Sequence, residues 1–229
     1  GIGSAGARGA RWQKGTVTVS VEPSVDELGS AAFEGLVHAV SAWQTSPAEL
    51  PTLVVQRGPE DEVGFRRGGK NKNTVRYSPD GDPLANGALA ITVITFDAHA
   101  REILDADIIL NGEHKFGIFA DEPARLTQNV YDLQNVLTHE LGHLLGLGED
   151  YEDEYATMYA FSQPGETIKR DLEPVDVDPA EHLTIPQDQL GALATDVKRE
   201  VERIRRRGRW SRVGHGRGRG DDTTRPFSG

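Results

Sequence analysis

Three observations in the sequence predict an α+β fold. Four short segments carry strand patterns, three longer ones repeat their apolar residues at helical spacing, and two of the strands stand close enough to form a hairpin. Residues 1–11, rich in Gly, Ala and Arg without periodicity, read as a disordered leader, so order is expected from Trp12. Thr16–Val21 alternates with period two and stops at Glu22-Pro23, as a half-buried strand does. Phe33, Leu36, Val37, Val40 and Trp43 then share a helical face, with Ser24 or Ser30 as cap and Pro47 as the stop. Residues 53–56 form a second strand, and 57–87, crowded with Gly, Pro, Asp, Asn and Lys, read as a long irregular connection.

Residues 88–96 and 103–110 form the expected hairpin. In its second strand, from Ile103 to Leu110, the residues Leu104, Ala106, Ile108 and Leu110 face one way, and Asp105 and Asp107 the other, on a face read as solvated. From about Asp132 a helix runs through Leu133, Leu137, Leu141 and Leu144, ending near Gly146 and Gly148. Residues 149–188 are acidic and loop-like, and a last helix is expected over 187–207, with Leu190, Leu193, Val197, Val201 and Ile204 as its stripe. The domain is therefore expected to span 12–207, followed by a disordered Arg/Gly-rich tail over 208–229.

The composition excludes whole classes of chemistry. The chain of 229 residues contains no cysteine, which rules out a disulfide scaffold, a Cys-ligated metal and a thiol nucleophile. Any metal must be held by His and carboxylates. The net charge of −11 divides into −18 over residues 1–197 and +7 over 198–229. An acidic body argues against nucleic-acid binding, and only the basic tail could engage a polyanion. No apolar run approaches the roughly 20 residues that a membrane span needs.

One segment carries a reaction. In Thr138-His139-Glu140-Leu141-Gly142-His143, the two imidazoles stand four residues apart on a helix, so both can reach one ion. Glu140 follows the first imidazole directly, which places a carboxylate beside the metal without making it a ligand. Peptide-bond hydrolysis needs such a group, first as base for the attacking water and then as acid for the leaving amine. His38, His99, His114, His182 and His215 have no ligand spacing, and only His182, next to Glu181, merits attention as a distant substitute.

His139 to Gly146 (HELGHLLG), followed by Ala156-Thr157-Met158-Tyr159 around the sole methionine, resembles the metzincin zinc proteases, and among them the matrixins, particularly the bacterial ones. The resemblance covers about residues 12–172. It implies a zincin-like fold with a twisted mixed sheet, an active-site helix and a C-terminal helix, a single catalytic zinc, a Met-turn at Met158, and a secreted, extracellular, monomeric endopeptidase. It also implies that the strand from Ile103 to Leu110 is the sheet edge that pairs with an extended peptide substrate. Matrixins often bind structural calcium, but Asp80 and Asp82 read here as ordinary loop carboxylates.

The third ligand departs from the family, which usually has His at the eleventh motif position. Counting forward from His139 selects Glu149, whereas counting back from Met158 selects Asp150, and both stay candidates. A gluzincin-like site with Glu181 or Glu200 as ligand would need neither Gly146 nor Met158. The competing reading from another class is a matrixin-like fold without catalysis, serving as a protein- or polyanion-binding module.

Overall fold

The computed structural model describes residues 10–13, 15–97, 99–119, 129–173 and 211–212. Chain pairing begins one residue ahead of the expected boundary at Trp12, because Arg11 bridges to Glu102. Strand β1 (Thr16–Val21) leads to helix α1 (Ala32–Gln44), then β2 (Thr52–Arg57), β3 (Asn73–Ser78), β4 (Ala90–Asp97) and β5 (Glu102–Asn111). The five strands form one sheet in the order β2-β1-β3-β5-β4, parallel except for the antiparallel β4–β5 hairpin. Two short parallel strands, β6 (Lys115–Gly117) and β7 (Val130–Asp132), precede helix α2 (Leu133–Leu144).

Both helices pack on one face of the sheet. Val17, Val19 and Val21 of β1 and Ala106, Ile108 and Leu110 of β5 meet Leu36, Ala39 and Trp43 of α1 and Leu137, Leu141 and Leu144 of α2 in a single core. Two indoles tie this core to α2: Trp43 Nε1 donates to Thr138 O and Trp12 Nε1 to Leu144 O, each at 2.8 Å. Buried tryptophans need such partners for their N–H groups. Helix α1 starts at Ala32 with no side-chain cap, so neither Ser24 nor Ser30 caps it. Ser24 Oγ instead accepts from Tyr77 N. In α2 the N-cap is Asp132, whose Oδ1 accepts from Asn135 N at 2.8 Å and whose carboxylate also receives the Arg170 guanidinium.

Four sequence expectations are corrected. The stretch 57–87 is not wholly irregular, because it contains β3, whose polar composition hides its place between β1 and β5. The strand from Ile103 to Leu110 is not an edge: β3 pairs with it on one side and β4 on the other, which leaves β2 and β4 as the edges. Nor are Asp105 and Asp107 solvated. Both are buried, and Asp107 accepts from Gly64 N, Thr74 N and Thr74 Oγ1, so the segment around Gly64 covers that face. Burial, together with the Asp107 carboxylate beside it, pushes the Asp105 pKa up to about 7. Finally, Ser211–Arg212 pairs antiparallel with Phe161–Ser162, so the segment after Gly208 is not uniformly unstructured: it supplies main-chain partners to an open strand. The helix expected over 187–207 lies outside the described residues. Among the described residues, no helix is long and apolar enough to cross a membrane.

Candidate metal centre

Helix α2 presents His139, Glu140 and His143, all buried. The chain then reverses. Gly146 takes a positive φ of 100°, and a Cβ there would stand 2.6 Å from Ala10 O, so the position requires glycine twice over. This reversal brings Leu147 O to 3.0 Å from His143 Nδ1, and residues 149–160 back beneath the helix. Asp150 N donates to Met158 O, and Ala160 N donates to Asp150 O, clamping a turn in which Thr157 O lies 2.8 Å from His139 Nδ1. Met158 is fully buried, and its Sδ would be only 2.2 Å from a Cβ on Gly142. A methionine under the helix and a glycine on the helix thus require each other.

Main-chain carbonyls fix the chemistry of both imidazoles. A carbonyl only accepts, so each Nδ1 carries a proton, and in the neutral imidazole each Nε2 is left with a lone pair. The two Nε2 atoms face each other at 3.1 Å. Glu149 points its oxygens at them, Oε2 3.4 Å from His139 Nε2 and Oε1 3.5 Å from His143 Nε2, and among the described residues neither oxygen has a hydrogen-bond partner. His139, His143 and Glu149 are the one set of three or more candidate ligands among the described residues.

These separations test whether a metal fits. Tetrahedral ligands about 2.0–2.1 Å from zinc stand about 3.3–3.4 Å from one another. The 3.1 Å between the two Nε2 atoms, and the 3.4 and 3.5 Å from them to Glu149 Oε2 and Oε1 respectively, lie near those edges, and buried imidazole nitrogens facing a buried carboxylate need a proton or a cation between them. Asp150 stands apart. Its Oδ1 accepts from Glu152 N and Asp153 N, a turn-forming use that leaves it outside the ligand group.

The electrostatics agree. Burial opposes the charged form of His143, but the Glu149 and Glu140 carboxylates outweigh it and raise the pKa to about 9. Burial would raise Glu149, yet the two imidazoles outweigh it and hold that carboxyl well below its usual range. The carboxylates that favour a proton on His143 would equally favour a dication in its place. Glu140 is raised by burial, a shift partly offset by His143 and His139. Its Oε2 accepts from Thr92 Oγ1 at 2.6 Å, and its Oε1 is buried without a partner.

Of the residues singled out in the sequence, His139, Glu140, His143 and Glu149 come together and Asp150 serves the turn. His38, His99 and His114 lie outside the group, and Glu181, His182, Glu200 and His215 fall outside the described residues. Sequence reasoning missed Thr92, because one hydroxyl in a strand gives no signal. It also missed Lys169, a fully buried cation that donates to Phe161 O and Ser162 Oγ and so anchors the chain beyond Met158. Burial lowers the Lys169 pKa against the opposing pull of Glu166.

Two helix-borne imidazoles one turn apart, with a third ligand returned by a glycine reversal under a mixed sheet, place the chain in the zincin class of folds. The comparison with known families is narrower. The matrixin family matches residues 11–184, so the chain belongs to that family of metzincin zinc metalloendopeptidases. No curated protein matches it.

Proposed function

We propose that the protein is a zinc-dependent endopeptidase with His139, His143 and Glu149 as ligands and Glu140 as general base and then acid. The observation that carries this reading is the convergence of two imidazole Nε2 atoms and a buried carboxylate, beside a second carboxylate one of whose oxygens has no hydrogen-bond partner among the described residues. Zinc supplies Lewis acidity there, lowering the pKa of a water to about 7 and polarising a carbonyl. The chain does the rest. Thr157 O and Leu147 O hold the imidazoles in the ligating tautomer, and Glu140 Oε1 is free to take the water's proton and pass it to the leaving amine. A carboxylate ligand in place of a third histidine adds negative charge and makes zinc a weaker Lewis acid.

An extended substrate would pair with the edge of β4 instead of the interior β5. That edge adjoins the site, since Thr92 of β4 bonds Glu140. Secretion and a monomeric state accord with the family reading, and the basic tail carries the positive charge that a polyanion would contact.

The test is zinc content and casein hydrolysis by wild type and Glu140→Ala, with and without a chelator. Stoichiometric zinc in both, with hydrolysis in the wild type alone and its loss on chelation, is the expected result. Stoichiometric zinc without any hydrolysis by the wild type would replace this reading with the binding module.

A further inference from the structure

We propose that Thr92 is a positioning residue that sets the Glu140 carboxylate for proton transfer, an inference that rests on the endopeptidase reading above. Thr92 lies within β4 and is fully buried. Its Oγ1 stands 2.6 Å from Glu140 Oε2 and 3.1 Å from Glu140 O. A hydroxyl has one proton to give, and the charged oxygen at the shorter distance takes it.

Three consequences follow for Glu140. The terminal torsion of a glutamate is soft and roughly two-fold, so an unheld carboxylate would swing its two oxygens through the pocket. The Thr92 bond selects one orientation. It also makes the oxygens unequal: Oε2 shares its lone pair with the hydroxyl, while Oε1 stays buried and unpartnered, and is therefore the oxygen that receives a proton. Finally, the donor comes from the edge strand, not from the helix, so the strand that would pair with substrate also aims the base.

Zinc-loaded wild type, Thr92→Val, Thr92→Ser, Glu140→Ala and the Thr92→Val/Glu140→Ala double variant distinguish this role from simple packing. Valine keeps the shape and removes the donor; serine keeps the donor. Thr92→Val is expected to hold full zinc and to lose about 10- to 100-fold in kcat with KM changed less than about 3-fold, whereas Thr92→Ser recovers most of the rate. In urea, Thr92→Val should lower the folding equilibrium constant about tenfold with Glu140 present and by clearly less in the Glu140→Ala background, where the hydroxyl keeps only the neutral main-chain oxygen of residue 140. If the valine variant does not fold, Thr92→Ala takes its place in every arm. An active wild type accompanied by an equally fast Thr92→Val, by a Thr92→Ser as slow as the valine variant, or by equal destabilisation in both backgrounds overturns this role alone. A zinc-loaded wild type that cleaves nothing overturns the endopeptidase reading and this role with it, whatever the urea cycle gives.

Discussion

Glu149→Gln and Asp150→Asn remove one negative charge from adjacent residues while keeping side-chain shape, so the long-range field changes alike and only direct ligation differs. Glu149 faces His139 Nε2 and His143 Nε2 at 3.4 and 3.5 Å and, among the described residues, has no hydrogen-bond partner. Asp150 gives its Oδ1 to Glu152 N at 2.7 Å and Asp153 N at 3.0 Å, bonds that an amide oxygen can also accept. Structural zinc sites of four ligands bind with about 10–16 kcal/mol, or about 3–4 kcal/mol for each ligand, so losing one should weaken zinc by about 10²–10³-fold. At saturating zinc, a hundredfold loss removes about 2.7 kcal/mol of linked stability and lowers Tm by about 5–11 °C for a domain of this size. Asp150→Asn should stay within about 3-fold of the wild-type Kd, with Tm nearly unchanged. Competition against a chromophoric chelator reads the affinities, and calorimetry with and without zinc reads the linkage. Equal zinc loss in the two variants, or undiminished affinity in Glu149→Gln, would refute the assignment of the third ligand.

Gly142→Ala drives a Cβ to 2.2 Å from Met158 Sδ and 2.9 Å from Trp43 Cζ2, in a core where both side chains are buried. It should cost about 3 kcal/mol and lower Tm by about 6–12 °C, and a Tm equal to wild type in calorimetry would contradict the packing described. Asp105 has its pKa raised from 3.8 to about 7, so the folded state binds the extra proton between those values and stability falls as pH rises through that window. Asp105→Asn should flatten that fall and stabilise the protein above pH 7, by at most about 4 kcal/mol at about 1.4 kcal/mol per pH unit. Urea titrations at pH 5 and pH 8 check it, and a wild-type stability that rises over the interval would count against the buried-carboxyl account.

The parts of the site legible in the sequence are those encoded by local spacing. His139, Glu140 and His143 lie within one turn and a bit of a helix, so their order along the chain already fixes their mutual geometry. The third ligand depends on a reversal, where counting from either end gives neighbouring answers. The structure separates them by what else each side chain does: Asp150 is consumed by the turn, and Glu149 is not. Strand order is less accessible still. A period-two pattern says which residues share a face and nothing about which strand lies alongside, so β5 read as an edge although β3 pairs with it across an intervening connection. The burial of Asp105 and Asp107 followed from the same gap, since polar residues look solvated until the covering segment at Gly64 is placed over them. Strand β3 escaped notice because four of its six residues, Asn73, Thr74, Arg76 and Ser78, are polar.

The charge of the chain takes on a local meaning at the metal centre. Two carboxylates, Glu140 and Glu149, are buried within one site whose imidazole tautomers are fixed by main-chain carbonyls. Burying two such charges without compensation would be prohibitive, and the pocket must therefore take up either protons or a cation. The carboxylates around His143 raise its pKa and so favour the first option, and the convergence of one candidate ligand atom from each of His139, His143 and Glu149 favours the second in the same space. A chain with no cysteine has no thiolate with which to supply that negative charge. In the proposed site the carboxylate of Glu149 would do so instead, and the glycine reversal at Gly146, with the Met158 turn beneath it, is the architecture that brings it there.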